Sequence, residues 1–260
     1  MTQPAHPAAT ICLLRDGSDG VEVLMVRRPH TARFMAGAWV FPGGAVDAED
    51  IAWAATHGRG DPERLAWRIA ALRELAEEVG IWLTSSGDHA RRVSPEHVRE
   101  LIARDGIDLD TDRLIYFSRW ITPEPLPLRF DARFFVATVG PDLEATIDGE
   151  ELIDATWIRP ATVLEHRRAG RWLVAFPTRK TLERLSRYRR CAEVVDSAEE
   201  SSVEPIMPRL RLDGRDLRIV LPGDPGFDEA GADQRSTDFL ERMADAVRRR
   251  GIVPNEFDIR

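Results

Sequence analysis

Cysteine is scarce in this chain: Cys12 and Cys191 are the only two in 260 residues. They fall into no CxxC or Cys/His spacing, which excludes a cysteine-built zinc site, a redox dithiol and a disulfide scaffold. A reducing compartment is the expectation, with Cys12–Cys191 the one disulfide open to the chain. Long apolar runs are missing as well. No stretch approaches the roughly 18 apolar residues of a membrane span, and no membrane association is expected. Basic charge is in deficit, with 36 Lys and Arg against 44 Asp and Glu, a net −8. A general nucleic-acid binder would carry a basic surface, so that class is set aside. An anionic small molecule stays compatible with the chain if metal ions mediate the contact. Internal repeats, low-complexity tracts and a clear linker are absent too. The opening "MTQPAHPAAT" has neither the basic start nor the apolar run of a secretory leader. The closing "NEFDIR" is not a peroxisomal tripeptide. Both point to a cytoplasmic protein.

Apolar residues make up 43% and charged residues 31%, an ordinary soluble composition. The length suits one large domain or two small ones. β-branched runs at 9–16 and 21–28, joined by "GSDG", predict a hairpin. "AWVFPGG" predicts a short strand entering a Pro-Gly-Gly turn. Residues 51–60 have no clear period and read as an inserted loop or a short helix. The clearest helix spans 62–79. Asp61 suits its N-cap, Pro62 its first position, Glu63 its positive end and Gly80 the left-handed residue that closes it. A second helix is expected near 94–104. Strands follow at 113–122, 132–139 and 155–160, then helices from Pro160 and over 178–189. "DSAEESS" (196–202) reads as a polar joint. A late hairpin is expected from 205–212 and 217–223, with Pro222 to Asp224 a turn and a charged helix over 235–250. Trp39, Phe41, Trp120, Phe134 and Phe135 are expected in the core.

The stretch "RELAEEVGI" (73–81) is the informative one. On a helical wheel Ile69, Leu72, Leu75, Ala76 and Val79 share one side, and Glu74, Glu77 and Glu78 fall together on another within an arc of about 100°. Like charges three and four residues apart repel. An isolated triplet of this kind is usually a solvated acidic face. Converging carboxylates also suit hard divalent cations such as Mg²⁺, which take oxygen ligands and keep sites for water and phosphate. Arg73 is placed to pair with one carboxylate and fix its rotamer.

Context resolves this choice. "GGAVDAED" followed by "RELAEEVGI" resembles the Nudix box, Gly-x5-Glu-x7-Arg-Glu-U-x-Glu-Glu-x-Gly-U, where U is bulky and apolar. Arg73, Glu74, Leu75, Glu77, Glu78, Gly80 and Ile81 fill its second half. Gly43 and Gly44 supply its start, with Gly44 as the box glycine. Asp50 stands where glutamate is usual. The Asp50–Arg73 gap is 22 residues rather than seven, an insertion that puts the role of Asp50 in question. A box with an insertion, the "FMAGAWVFPGG" lead-in, the segment from Trp120 to Phe135 and the late "PI…LPGD" also resemble the peroxisomal acyl-coenzyme A diphosphatase subfamily.

The resemblance implies an α/β/α sandwich with a mixed sheet, the box loop and helix lying at its edge. A Nudix domain would span 1–195, with the insertion at about 51–64, and a C-terminal extension at 196–260 would pack on it. It implies a hydrolase that cuts a nucleoside diphosphate linked to another group, with Mg²⁺ or Mn²⁺. Glu74, Glu77 and Glu78 would hold metal, a Gly43 or Gly44 carbonyl would complete the shell, and Arg73, Gly43 and Gly80 would shape the box. Glu74 also counts among the catalytic candidates. The general base is expected from "TIDGEELIDATW", with Glu151 the first choice and Glu150 the second; either is equally readable as a solvated turn residue. Arg27 and Arg28 are candidates to grip phosphate, or are strand-end charges. His30 and Phe34 are candidates to lie by adenine or the pantetheine arm, or to pack on the protein. Coenzyme A or acyl-CoA leads as substrate. ADP-ribose, NADH or another nucleotide is the alternative, and a non-catalytic nucleotide sensor the third; intact helix glutamates argue against the last. A homodimer is also open to the chain.

Overall fold

The computed structural model describes residues 4–32, 35–57, 61–91, 93, 95–105, 107–147, 149–213, 216–231 and 243. Strands β1 (His6–Gly17) and β2 (Gly20–Arg27) form the expected hairpin, turned at Ser18-Asp19. They pair only at its closed end, from Leu14↔Val23 to Gly17↔Gly20. Beyond that the strands splay, and two short strands fill the fork. β3 (Trp39–Val40) bonds to β2, and β4 (Gly43–Ala45) bonds to β1. Ile11 N donates to Pro42 O at 2.9 Å, so the Pro-Gly-Gly turn is held inside the sheet rather than hanging from it.

Helices α1 (Ala48–His57) and α2 (Pro62–Val79) follow, then a small hairpin of β5 (Ile81–Thr84) and β6 (Gly87–Ala90), and helix α3 (Pro95–Asp105). β7 (Ile115–Ile121), β8 (Phe130–Thr138) and β9 (Asp154–Ile158) rejoin the main sheet. Helices α4 (Pro160–Arg168), α5 (Phe176–Leu185) and α6 (Cys191–Glu199) come next. β10 (Pro205–Ile206) adds to β7, the hairpin of β11 (Arg209–Asp213) and β12 (Asp216–Val220) stands apart, and α7 (Phe227–Gly231) ends the described elements.

The strand order is β10-β7-β8-β1-β2-β3, with β9 also on β2. β8 runs parallel to β1 and β10 parallel to β7, while the other pairs of this sheet are antiparallel. The sheet is therefore mixed. Alternation along β1 explains the layers. Ile11 and Leu13 join one core with α2, α3 and the apolar side of α1; Cys12 and Leu14 join the other with α4, α5 and α6. Ile11 to Leu14 are all buried although successive side chains point to opposite faces, as a sheet covered on both sides requires. The result is an α/β/α sandwich. Trp39, Phe41, Trp120, Phe134 and Phe135 are all buried in it, and Cys12 and Cys191 are buried and free. Among the described residues no helix is long and apolar enough to cross a membrane.

Several expectations need correction. Of the two readings of residues 51–60, the short helix holds for 51–57, which are most of α1; Asp47 starts it by accepting from the N–H groups of Glu49 and Asp50 at 2.9 and 3.0 Å. The polar joint at 196–202 begins inside α6, because Cys191, Val194 and Ala198 make a buried stripe that the polar sequence conceals. The late hairpin divides, its first two residues joining the main sheet as β10. Helix α2 lies over β1 and β4 on a face of the sheet, not at its edge. The helix expected at 235–250 lies outside the described residues, apart from Met243.

Candidate active site

Helix α2 takes the limits its sequence predicts. Asp61 caps it, accepting from Glu63 N at 3.0 Å; Pro62 opens it; Gly80, at φ 65°, closes it and donates to Ala76 O at 3.1 Å. Its carboxylates are not a solvated face. Glu78 retains 8% of its surface and Arg73 4%. A buried carboxylate costs free energy unless it is paired, so each needs a partner.

Arg73 is the hub. Its Nε and Nη2 meet the two Asp50 oxygens at 3.0 Å each, a bidentate pair. Its Nη1 donates to Glu74 Oε1 and Glu77 Oε2 at 2.8 Å, and its Nη2 also donates to Ala45 O at 2.9 Å. Burial works against the Arg73 charge, but the bonded Asp50 and the charges of Glu74 and Glu77 outweigh it and hold its pKa above the ordinary value. The role of Asp50 is thereby settled. Although one methylene shorter than glutamate and 23 positions from its partner, it holds the box arginine. Residues 51–57 of the insertion lie in α1, which packs against α2.

Glu78 points the other way, into the Pro-Gly-Gly turn, where Gly43 N donates to its Oε2 at 2.9 Å. Burial pushes its carboxyl well above the ordinary range; Glu74 and Glu151 add to this, and the Gly43 N–H and Arg28 oppose it. Burial likewise raises Glu74, in part offset by Arg73 and reinforced by Glu151, and it pushes Glu77 up to about 7. Glu151 therefore acts on both Glu74 and Glu78. Its loop is tied down on either side: Thr146 N donates to Val79 O at 2.8 Å, Ile153 N to Arg27 O at 2.9 Å, and Leu152 is buried. Glu151 and Glu150 are both exposed.

The structure thus brings together Gly43, Gly44, Arg73, Glu74, Glu77 and Glu78, and the charges of Glu151 and Arg28 bear on Glu78. Arg27 bonds His30 instead, Nη2 to Nε2 at 3.2 Å. The His30 ring lies against Gly37. Phe34 lies outside the described residues. Arg99 was not anticipated. It reaches from α3 to Asp47, Glu49 and Asp50, and nothing in "EHVRELIARD" separates it from an ordinary exposed helix arginine.

The donor set suits a hard divalent cation: buried carboxylates that repel one another, beside glycines that open the main chain. Gly44 leaves room for one of them, since a Cβ there would lie 2.3 Å from Glu74 Oε1. Among the described residues no three His, Cys, Asp or Glu side chains are already gathered as a metal cage. Mg²⁺ needs none, because it takes a few carboxylates and fills its shell with water and phosphate oxygens.

The two glycines make separable predictions. At Gly43, φ is 150° and a Cβ would meet Ala9 O at 2.3 Å and Thr10 Cα at 2.7 Å, both backbone. Gly43→Ala is expected to destabilise by about 3 kcal/mol, from overpacking and backbone strain together. At Gly44 the obstacle is the end of a side chain that can swing away. Gly44→Ala is expected to keep its unfolding temperature within a few degrees while losing about 10²-fold in turnover through displacement of Glu74. Thermal unfolding alongside steady-state kinetics checks both.

The NUDIX domain matches residues 4–176, and the chain belongs to the Nudix family of hydrolases. A crystal structure of a NUDIX hydrolase from Alicyclobacillus acidocaldarius aligns with a TM-score of 0.65 at 30% identity, covering 75% of this chain and 97% of that one. Putative nudix hydrolase 7 of Caenorhabditis elegans is 32% identical over 173 residues, 63% of this chain but only 55% of that protein's length. Acyl-coenzyme A diphosphatase NUDT19 is 22% identical in Xenopus laevis, over 83% of this chain and 73% of that one. The Homo sapiens protein of the same name is 23% identical, over 87% and 76%. Nudix hydrolases act on small nucleotide substrates and generally use divalent metal ions.

Proposed function

We propose that this protein is a Mg²⁺- or Mn²⁺-dependent diphosphatase that hydrolyses coenzyme A or acyl-CoA to 3′,5′-ADP and 4′-phosphopantetheine or its acylated form. The observation that supports the hydrolytic reading is that Glu78, buried on the Gly43 N–H, and Glu74, largely buried on Arg73, share one flank of α2. Carboxylates crowded out of water repel an anionic diphosphate, and cations invert that sign. Glu74, Glu77 and Glu78 would hold the ions, with a carbonyl of Gly43 or Gly44. When bound, such ions polarise a phosphoryl oxygen and make water a better nucleophile.

The protein's own side chains supply the rest. Arg73 orients Glu74 and Glu77. The Gly43 N–H orients Glu78. Glu151 is the favoured base to take the proton of the attacking water, with Glu150 behind it. Arg28 contributes positive charge where diphosphate would approach, and Arg27 lies next to it. The substrate class is supported by the relatives, since similarity to the acyl-CoA diphosphatases runs over 83% and 87% of the chain, past the 4–176 domain.

Purified protein with Mn²⁺ is expected to release 3′,5′-ADP from coenzyme A, followed by chromatography of the products, and EDTA is expected to abolish this. Untouched coenzyme A beside cleaved ADP-ribose or NADH would move the substrate to another nucleotide. No cleavage of any nucleoside diphosphate, with nucleotide binding retained, would leave the sensor reading.

A further inference from the structure

A short connection would by itself keep Asp50 in register with Arg73. Here 22 residues intervene between Asp50 and Arg73, and a loop of that length constrains its ends far less. Asp50 nevertheless sits 1% exposed against Arg73. Two things hold it. The first is the cap of α1, in which Asp47 Oδ1 accepts from Asp50 N at 3.0 Å and Asp47 N donates to Asp50 Oδ2 at 3.1 Å. The second comes from outside the motif. Arg99 on α3 places Nη2 on Asp47 Oδ2 and Nη1 at 3.2 Å from Glu49 Oε2 and 3.5 Å from Asp50 Oδ1. Asp50 Oδ1 thus faces two guanidinium groups, Arg73 and Arg99.

We infer that Arg99 is a positioning residue for the metal-binding carboxylates, acting through Asp47 and Asp50 on Arg73 and through Arg73 on Glu74 and Glu77. The inference rests on the reading of those glutamates as metal ligands. An exposed ion pair carries little free energy, but this one ends on a buried carboxylate that fixes the hub of the site. The Arg99 charge also reaches Glu77 directly.

The test uses the full chain with Arg99→Ala, Arg99→Lys and Asp47→Asn. Mn²⁺ alone is titrated, with free Mn²⁺ counted by electron paramagnetic resonance, and kcat and KM are measured in parallel. Outer-shell partners of metal ligands carry about 10–100-fold, so Arg99→Ala is expected to weaken Mn²⁺ binding and lower kcat about tenfold, with little change in KM. Lysine reaches one carboxylate at a time and should recover only part of this. Asp47→Asn keeps the cap acceptor and should lose in the same direction, and Arg99→Ala combined with Asp47→Asn should lose no more than Arg99→Ala alone. If Arg99→Ala does not fold, Asp47→Asn and Arg99→Lys decide by the same readings. Variants that bind Mn²⁺ and turn over like the wild type, with only a lower unfolding temperature, would overturn the inference and leave the proposed activity standing. A wild type that binds Mn²⁺ but cleaves no diphosphate would remove the proposed activity, and the Mn²⁺ titrations would still decide the role of Arg99.

Discussion

Glu78→Gln is expected to lower turnover by about 10³-fold, beyond the 10–100-fold that outer-shell partners of a metal ligand carry, while the metal-free protein stays as stable as the wild type or becomes more so. The two effects have one origin. Glu78 is buried with Glu74 and Glu151 bearing on it, so its ionised form is disfavoured without metal. Glutamine is nearly isosteric, keeps an oxygen for the Gly43 N–H and removes the charge. A loss of activity with no loss of stability would separate a ligand from a structural residue. The sign of the pH dependence follows. The carboxyls of Glu74, Glu77 and Glu78 have folded values raised above the unfolded value of 4.5. The folded state then holds more protons between the two values, and stability falls as pH rises through that interval. For Glu77 the interval runs from 4.5 to about 7. The unfolding temperature of EDTA-treated wild type should therefore drop between pH 5 and pH 8, and that of Glu78→Gln should drop less. Asp47 works in the opposite sense. Burial opposes its charge, but the Asp50 N–H and the Arg99 and Arg73 charges win and lower it from 3.8, so its contribution is lost only at more acid pH. A Glu78→Gln protein that retains wild-type turnover would remove Glu78 from the ligand set.

The second large effect is on stability. Arg73→Met is expected to cost about 3–5 kcal/mol, the range for deleting one partner of a buried ion pair. Methionine fills much of the volume but leaves Asp50 buried at 1% exposure, with Glu74 and Glu77 also losing their donor. In a chain of this size the unfolding temperature should fall by roughly 10 °C. Replacing Asp50 as well, with leucine, removes the stranded charge at the other end of the bidentate pair. The double variant is therefore expected to be more stable than Arg73→Met alone, although neither should be active. If the double variant is less stable, Asp50 is held mainly by Arg99 and the cap of α1, and Arg73 is not the hub that the geometry describes.

How much of this was legible in the residues depended on how local the cause was. Helix α2 was readable to its ends because Asp61, Pro62 and Gly80 act within a turn of where they stand. The hairpin of β1 and β2 was readable for the same reason. Helix α6 was not, because its three buried residues are spread through a polar stretch and only the neighbouring sheet gives them a side to face. The insertion was half legible, since its residues allowed either a loop or a short helix. Its helix is fixed by the Asp47 cap and by contact with α2, and its composition announces neither.

The sequence by itself determined the carboxylate triplet, its grouping on one flank, the arginine beside it and the glycines ahead of it, since helical period and covalent order place those without reference to the rest of the chain. Tertiary structure decided that this flank is buried, that Asp50 still meets Arg73 across the insertion, that the loop before β9 is tied to the end of α2 and that Arg99 closes the circuit from α3. These are matters of dielectric and of distance between segments far apart in the chain. Residue order does not encode either until helices α1 and α3 and the loop before β9 have packed around α2.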